Sequence, residues 1–165
     1  TGALLASPAL GAAPDIVVLA KSLGNGFPVG AFLARGAAAQ AFAPGDHGST
    51  FGGNRMACAA AYYVTCKLAD TDILSRVADM GGYFLGKLTA LKAGCPAIAD
   101  VRGRGLMLGV ELIPTVSAMA IKKALLEAGF VTATAGQNVL RFLPPYVIQK
   151  PHIDALIDAL TELLK

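Results

Sequence analysis

Residues 15–34 read DIVVLAKSLGNGFPVGAFLA and contain two apolar runs separated by a turn rich in glycine. The first run, residues 15–20, is rich in β-branched side chains and stops at a segment that contains glycine and proline. That combination predicts a short, fully buried strand, and residues 29–34 predict a second one. Lys21 stands where the first run ends. The prediction therefore carries its ammonium group to the edge of the core.

Lys21 has the position expected of a reactive amine. Desolvation disfavours the charged form of a lysine, and the neutral amine is the nucleophile. A nucleophilic amine is what a lysine needs in order to bond covalently to a carbonyl group. The alternative is a surface lysine that merely follows a strand. That alternative would be favoured for a lone lysine, but the segments described below favour the reactive amine.

The composition indicates a packed protein rather than a disordered or membrane-spanning one. Of the 165 residues, 55% are hydrophobic and 15% are charged, and no apolar stretch reaches the roughly 18 residues that a spanning helix needs. The formal net charge of +3 is spread along the chain, which argues against binding to nucleic acid or to a membrane. The apolar excess predicts further burial against a partner chain or against missing sequence.

The cysteines and histidines suggest neither a disulfide framework nor a metal site. Cys58, Cys66 and Cys95 lack paired spacing, and they fit a reducing compartment, so a cytoplasmic location is expected. His47 and His152 also lack partners at metal-ligand spacing, and no metal is predicted. The chain begins with threonine rather than methionine, which suggests a fragment or a processed product.

Hydrophobic periodicity predicts four helices. Apolar residues recur every three or four positions, and capping residues and prolines mark the ends. The predicted helices cover residues 55–69, 73–92 and 116–129, and the last begins at Pro151.

The C-terminal half also contains apolar runs typical of strands. Residues 101–112 are expected to form one strand that bends at Gly103 and Gly105. Residues 130–135 and 139–143 predict two more strands, joined by a short turn. Because the sequence pattern changes from helical to strand-like after the second helix, a domain boundary is predicted near Gly94.

The loop of residues 45–54 is a candidate anion site. Ser49 and Thr50 lie in this loop shortly before a predicted helix, and hydroxyls with backbone N–H groups at a helix N-terminus bind anions such as phosphate. The alternative is that Ser49 or Thr50 simply caps the helix, which is the commoner use of such residues.

Arg141 is a cation in an otherwise apolar strand that ends in two prolines. Arginine binds a carboxylate through two parallel hydrogen bonds, and a buried arginine needs a partner. That partner is either the carboxylate of a substrate or an acidic side chain of the protein. The apolar surroundings make the substrate role at least as favourable.

Four segments together resemble one family. They are PDIVVLAKSLGNGFPVGAF at residues 14–32, HGSTFGGNRMACAAA at 47–61, VRGRGLMLGVEL at 101–112 and AGQNVLRFLPPYVI at 135–148. In content, order and spacing they resemble the class III aminotransferases, which depend on pyridoxal phosphate. The resemblance covers essentially the whole chain.

The resemblance implies a role for each candidate residue. Lys21 resembles the catalytic lysine that bonds covalently to pyridoxal 5'-phosphate. Thr50 resembles the residue that binds the cofactor phosphate of the other subunit in a homodimer, and Ser49 the adjacent residue that contacts substrate. Arg141 resembles the arginine that receives the substrate α-carboxylate. The segment RFLPP around Arg141 favours transfer of the amino group over isomerisation.

The resemblance also implies a fold and its missing parts. The expected fold is α/β: the C-terminal part of a fold-type-I large domain over residues 1–93, then an α+β small domain over residues 94–165. The family's aspartate that pairs with the pyridine nitrogen, and its upstream phosphate loop, are not among these residues. The chain alone is therefore expected to be inactive. The expected substrates are an amino donor and 2-oxoglutarate, and the alternative is a non-catalytic fragment that only dimerises.

Overall fold

The computed structural model describes every residue from Thr1 to Lys165, and the contacts between its elements divide the chain into two units. The N-terminal unit consists of residues 4–72. The C-terminal unit consists of residues 73–165 together with Thr1 to Ala3. Each unit contains one sheet. None of the helices is long and apolar enough to cross a membrane.

The N-terminal unit is built on a two-stranded antiparallel sheet. Strand β1 (Ile16–Leu19) pairs with β2 (Ala31–Ala34), and Ile16 lies opposite Ala34. The predicted helix over residues 55–69 is confirmed as α1 (Arg55–Ala69). Three short 3-10 segments complete the unit, at Pro8–Leu10, Lys21–Gly24 and Gly36–Gln40.

The prediction that β1 and β2 are fully buried is wrong. Ile16 and Val18 expose 50% and 72% of their surface, and Phe32 exposes 52%. A two-stranded sheet buries a face only where another layer covers it. Helix α1 packs against the turn that follows β1 rather than forming such a layer.

The C-terminal unit has an α+β arrangement. In chain order the elements are α2 (Ile73–Gly94), β3 (Ile98–Arg104), β4 (Met107–Leu112), α3 (Ala118–Glu127), β5 (Ala133–Ala135), β6 (Val139–Phe142) and α4 (Lys150–Leu163). The four strands form an antiparallel sheet in the order β3-β4-β6-β5. Helices α2 and α3 pack against the sheet, and α4 packs against α2 and α3.

Residues of the central strands alternate between a buried face and an outer face. In β4, Leu108, Val110 and Leu112 are buried against the helices, and the residues between them point the other way. In β6 the buried residues are Leu140 and Phe142. Many other core residues lie on the apolar faces of the helices, including Val77, Phe84, Leu88, Ile153, Leu156 and Leu160.

The prediction of one bent strand over residues 101–112 is wrong, because this segment belongs to a hairpin. Strands β3 and β4 pair antiparallel, and Arg104 lies opposite Met107. Gly105 adopts a φ of 53°, a left-handed conformation that glycine reaches without steric cost. A Cβ at Gly81 of α2 would overlap the backbone of Gly105. Glycine at both positions therefore lets the turn approach the helix.

The predicted boundary near Gly94 lies at the end of α2. In the structure α2 packs against β3, β4 and α4, so the helix groups with the C-terminal unit. The observed division therefore lies at Asp72. The assignment of residues 1–93 to a large domain and of 94–165 to a small domain stays a prediction about the family's domains.

Candidate functional site

Lys21 is exposed at the start of the 3-10 segment that follows β1. Its side chain forms no hydrogen bond or ion pair in this chain. The prediction that the chain buries this amine at the edge of a core is therefore wrong, because β1 is itself uncovered. The amine is instead free and accessible.

The backbone of Lys21 has a conformation that is unfavourable for lysine. Its φ is +58°, and the only other non-glycine residue with a positive φ is Asn25. Asparagine adopts the left-handed region readily, but a long side chain does so at a cost of about 1 kcal/mol or more. Strained residues of this kind concentrate at functional sites. The conformation therefore marks Lys21 as a candidate functional residue.

The turn after Lys21 is held in place by short-range contacts. The N–H of Asn25 donates to the carbonyl of Ser22 at 3.0 Å, and that of Phe27 donates to the carbonyl of Gly24 at 3.1 Å. Gly24 is buried, and a Cβ there would lie 2.6 Å from Cγ1 of Val29. Helix α1 packs against the same turn. These contacts fix the backbone that presents the lysine.

In the loop before α1, Ser49 takes part in one hydrogen bond and Thr50 in none. Asn54 caps the helix, because its side-chain oxygen accepts hydrogen bonds from the N–H groups of Met56 and Ala57, each at 3.1 Å. Capping therefore does not account for Ser49 or Thr50. The hydroxyl of Ser49 accepts a hydrogen bond from the N–H of Gly52 at 2.9 Å, and neither the hydroxyl nor the N–H of Thr50 has a partner.

Arg141 lies on the outer face of the four-stranded sheet. Its neighbours across the strands are Gly109 on β4 and Ala133 on β5. Both are small, so neither residue directly opposite Arg141 contributes a bulky side chain. Arg141 forms no ion pair, and its Nε is buried without a hydrogen-bond partner. The alternative role as a structural salt bridge within this chain is therefore not supported.

A charged network occupies the neighbouring part of the outer face. Nη1 of Arg102 contacts Oδ2 of Asp100 at 2.8 Å and Oε2 of Glu111 at 2.6 Å. Nζ of Lys92 lies 3.6 Å from Asp100. The hydrogen bond from Arg102 is the main cause that holds the pKa of Asp100 below its usual value. Arg102 is thus occupied, whereas Arg141 is not.

Asn138 fixes the start of β6, three residues before Arg141. Its side-chain nitrogen lies within 3.0 Å of the carbonyl oxygens of Leu112, Ile113 and Val116, and its oxygen accepts from the N–H of Ala118 at 2.8 Å. These bonds tie β6 to the segment between β4 and α3. Arg141 therefore projects from a well-supported strand.

The candidate residues are divided between the two units. Lys21, Ser49 and Thr50 belong to the N-terminal unit, and Arg141 to the C-terminal unit. The sequence did not predict that Gly109 lies beside Arg141 or that Arg102 pairs with two carboxylates. The alternation in MLGVEL, residues 107–112, places Gly109 and Glu111 on one face of a strand, but it does not indicate which residues lie opposite them.

Comparison with known proteins gives a consistent result. The family model described as Aminotransferase class-III matches residues 1–164. The acetylornithine aminotransferase of Methanothermobacter thermautotrophicus is 47% identical over 161 residues, which are 97% of this chain and 40% of that protein. The acetylornithine aminotransferase of Aquifex aeolicus is 48% identical over 151 residues, 92% of this chain and 38% of that protein.

Solved structures share the fold. The ornithine delta-aminotransferase of Plasmodium falciparum superposes with a TM-score of 0.90 at 28% identity, covering 99% of this chain and 43% of its own. The acetylornithine aminotransferase of Elizabethkingia anophelis superposes with a TM-score of 0.88 at 30% identity, covering 99% and 44%. The chain thus spans about two fifths of the length of the proteins it matches.

Proposed function

The chain belongs to the class-III aminotransferases, and from this premise we propose that it forms part of an enzyme that transfers an amino group with the help of pyridoxal 5'-phosphate. The observation that carries the proposal is the free amine of Lys21, held in a left-handed conformation that lysine ordinarily avoids. A surface lysine with no function would have no reason to retain that conformation.

The residues present fit the cofactor. An aldehyde with a phosphate group needs a primary amine that is not already paired, and hydrogen-bond donors for the phosphate. Lys21 provides the amine, and the unpartnered hydroxyl and N–H of Thr50 provide donors. When bound, pyridoxal phosphate withdraws electrons from the carbon that carries the amino group.

The chain's own residues then have distinct tasks. Lys21 would hold the cofactor covalently at rest. Once the amino group of the donor has taken its place, the freed Nζ would accept the proton from the amino-bearing carbon of the donor and return it in the transfer. Arg141 orients the substrate by binding its α-carboxylate at two points. Ser49, next to Thr50, contacts the substrate.

We propose N-acetylornithine as the amino donor and 2-oxoglutarate as the acceptor, which is the reaction of acetylornithine aminotransferase in arginine biosynthesis. The support is the identity of 47% and 48% to relatives of that name over most of the chain. The alternative is that the donor is ornithine, succinylornithine or the substrate of another class III aminotransferase. The fold is shared with ornithine aminotransferases, so the sheet and helices alone do not discriminate.

The substrate is tested by comparing donors in the holoenzyme that carries this chain. With pyridoxal phosphate and 2-oxoglutarate supplied, N-acetylornithine is expected to yield glutamate with a higher kcat/KM than ornithine or succinylornithine. A higher value for ornithine would replace the proposed donor and keep the reaction. If none of the three donors yields glutamate, N-acetylornithine is refuted as the donor, and the alternatives are another class III substrate or a non-catalytic part that dimerises.

We further propose that the protein is a cytoplasmic homodimer in which Thr50 serves the cofactor site of the other subunit. The three cysteines are free thiols, which suits a reducing compartment. The loop of Thr50 is exposed, so its donors are open to a second subunit. The active site would then be shared across the dimer.

Thr50→Val is expected to raise the Kd for pyridoxal phosphate about tenfold or more, because one hydrogen bond to a charged phosphate is lost while the side-chain shape is kept. Equilibrium titration of cofactor into the apoenzyme measures the change. The matched control is Thr65→Val, whose hydroxyl donates within α1 to the carbonyl of Ala61. An unchanged Kd in Thr50→Val, or an equal rise in the control, would refute the assignment.

The sharing of the site can be tested with mixed dimers. A subunit with Lys21→Ala combined with one carrying Thr50→Val is expected to contain one fully intact site and one doubly defective site. Tight cofactor binding at half of the sites would support a shared site. Two weakened sites would show that Thr50 acts within its own subunit.

A further inference from the structure

Glu111 stands between two arginines on the outer face of the sheet. Gly109 of β4 lies opposite Arg102 on one side and opposite Arg141 on the other. Glu111 follows two residues later on the same face, so it is the diagonal neighbour of both arginines. Diagonal neighbours in an antiparallel sheet lie roughly 7–8 Å apart, within reach of long side chains. Each guanidinium group is thus a possible partner for one carboxylate.

The carboxylate of Glu111 pairs with Arg102 and not with Arg141. Oε2 of Glu111 lies 2.6 Å from Nη1 of Arg102. Arg141 has no acidic partner, and its Nε is buried and unsatisfied. An unpaired arginine beside a reachable carboxylate is unexpected, because a buried donor gains free energy from any acceptor. The pairing with Arg102 leaves Arg141 without this carboxylate.

We propose that Arg102 is a positioning residue that sequesters Glu111 and so keeps Arg141 free for the carboxylate of the substrate. This inference rests on the proposed function, in which Arg141 binds that carboxylate. Arg102 does not contact the substrate in this arrangement. It acts by removing a competitor from the side chain that does.

The contacts around Arg102 explain why it retains Glu111. The same nitrogen, Nη1, also contacts Asp100 at 2.8 Å, and Lys92 lies 3.6 Å from that aspartate. Two carboxylates and two cations thus alternate across β3, β4 and the end of α2. A network fixes side chains better than one exposed pair does. Gly109 itself contributes no side chain to this part of the face, and Cγ1 of Val139 lies 3.2 Å from where a Cβ of Gly109 would stand.

Loss of the positive charge at position 102 would release Glu111. Its nearest remaining guanidinium group on the outer face would then be Arg141. The freed carboxylate would occupy the donors that the substrate needs, and the substrate would have to displace it. The effect would be on affinity for carboxylates rather than on the proton transfers of Lys21.

The test compares variants of the holoenzyme for binding of glutarate, a dicarboxylate that cannot react. Arg102→Met is expected to raise the Kd for glutarate and the KM for 2-oxoglutarate about fivefold, a change typical of an exposed ion pair, and to leave kcat near its original value. Arg102→Lys keeps the charge and should remain within about twofold of the original Kd. The double variant Arg102→Met with Glu111→Gln should recover the original Kd, because an uncharged amide no longer competes.

Lys92→Met is the matched control, since it removes a cation of the network that does not contact Glu111. It is expected to leave the Kd for glutarate unchanged. If the double variant stays as weak as Arg102→Met, Arg102 has only a structural role and the proposal is wrong. An equal loss in Lys92→Met would also overturn it.

Glutarate binding to Arg102→Met and to Arg141→Lys distinguishes a failure of sequestration by Arg102 from a failure of the proposed role of Arg141. If Arg141→Lys weakens glutarate binding while Arg102→Met does not, Arg141 remains the carboxylate receptor and sequestration is wrong. If Arg141→Lys leaves glutarate binding unchanged, both are wrong. A primary amine donor without a carboxylate gives a further check, because its KM should not respond to Arg102→Met.

Discussion

Lys21→Ala in the holoenzyme is expected to lower the rate of amino-group transfer by about three orders of magnitude or more. The variant loses both the amine that holds the cofactor covalently and the base that moves the proton, and each contributes strongly to catalysis. The measurement is the single-turnover rate with N-acetylornithine. Lys67→Ala, which removes an exposed amine of α1, is the control and should retain most of the activity.

Covalent trapping tests the same assignment without turnover. Borohydride should fix pyridoxal phosphate to Lys21 in the loaded holoenzyme, and peptide mapping identifies the labelled residue. A label on Lys67, Lys87 or any other lysine would disprove the role of Lys21.

The strained backbone at Lys21 predicts a difference in stability that can be measured without any assay of activity. At a φ of +58°, glycine is favoured over alanine by roughly 1 kcal/mol. In the cofactor-free protein, Lys21→Gly should therefore unfold at a higher denaturant concentration than Lys21→Ala, although both are inactive. Equal stability would mean that the left-handed conformation is not a source of strain. A gain in stability with a loss of activity is the pattern expected where function maintains strain.

The helices could be predicted from the sequence because their signal is local. Apolar residues repeat along α2 and α4 at the helical period, and the bounds of α1 are those predicted. His152 illustrates the limit of such reasoning. The sequence assigned it no partner at metal-ligand spacing, whereas in the structure its Nδ1 accepts a hydrogen bond from the N–H of Gln149 and completes a capping box.

The environment of the strands could not be predicted in the same way. The runs before and after Lys21 have the composition of buried strands, yet whether a strand is buried depends on which layer covers it. The residues of that covering layer lie outside the apolar run, so the run itself does not indicate whether the strand is buried. The hairpin of β3 and β4 was missed for a related reason: two glycines were interpreted as a bend, and only the pairing of Arg104 with Met107 shows the reversal.

The sequence indicated which residues could form the site, but not their backbone conformation or their hydrogen-bond partners. Lys21 and Arg141 are conspicuous as isolated cations beside apolar runs. The φ of Lys21 and the unpaired state of Arg141 are tertiary properties. The unpaired state of Arg141 depends on the register of the strands. This register places Gly109 and Ala133 on either side of Arg141, and Glu111 pairs with Arg102. Such a register joins residues that are distant in sequence, so no local pattern reports it.

Arg141→Lys is expected to lower kcat/KM for N-acetylornithine by roughly two orders of magnitude. An ammonium group keeps the charge but cannot make two parallel hydrogen bonds to a carboxylate. The loss of such a charge-assisted bond corresponds to about 2 to 3 kcal/mol of transition-state stabilisation. The affinity for pyridoxal phosphate should not change, because Arg141 is assigned to the substrate.

The comparison that isolates this effect is Arg35→Lys. Arg35 is an exposed arginine of the N-terminal unit that pairs with Asp15 at 3.3 Å, so its conservative replacement should change kcat/KM less than about twofold. An amine donor without an α-carboxylate provides the second comparison, since it makes no use of Arg141 and should react equally well with both enzymes. Near-normal kinetics of Arg141→Lys with N-acetylornithine would show that the unpaired guanidinium group serves something other than the substrate carboxylate. The small neighbours and the absent ion pair would then require a different ligand on the outer face.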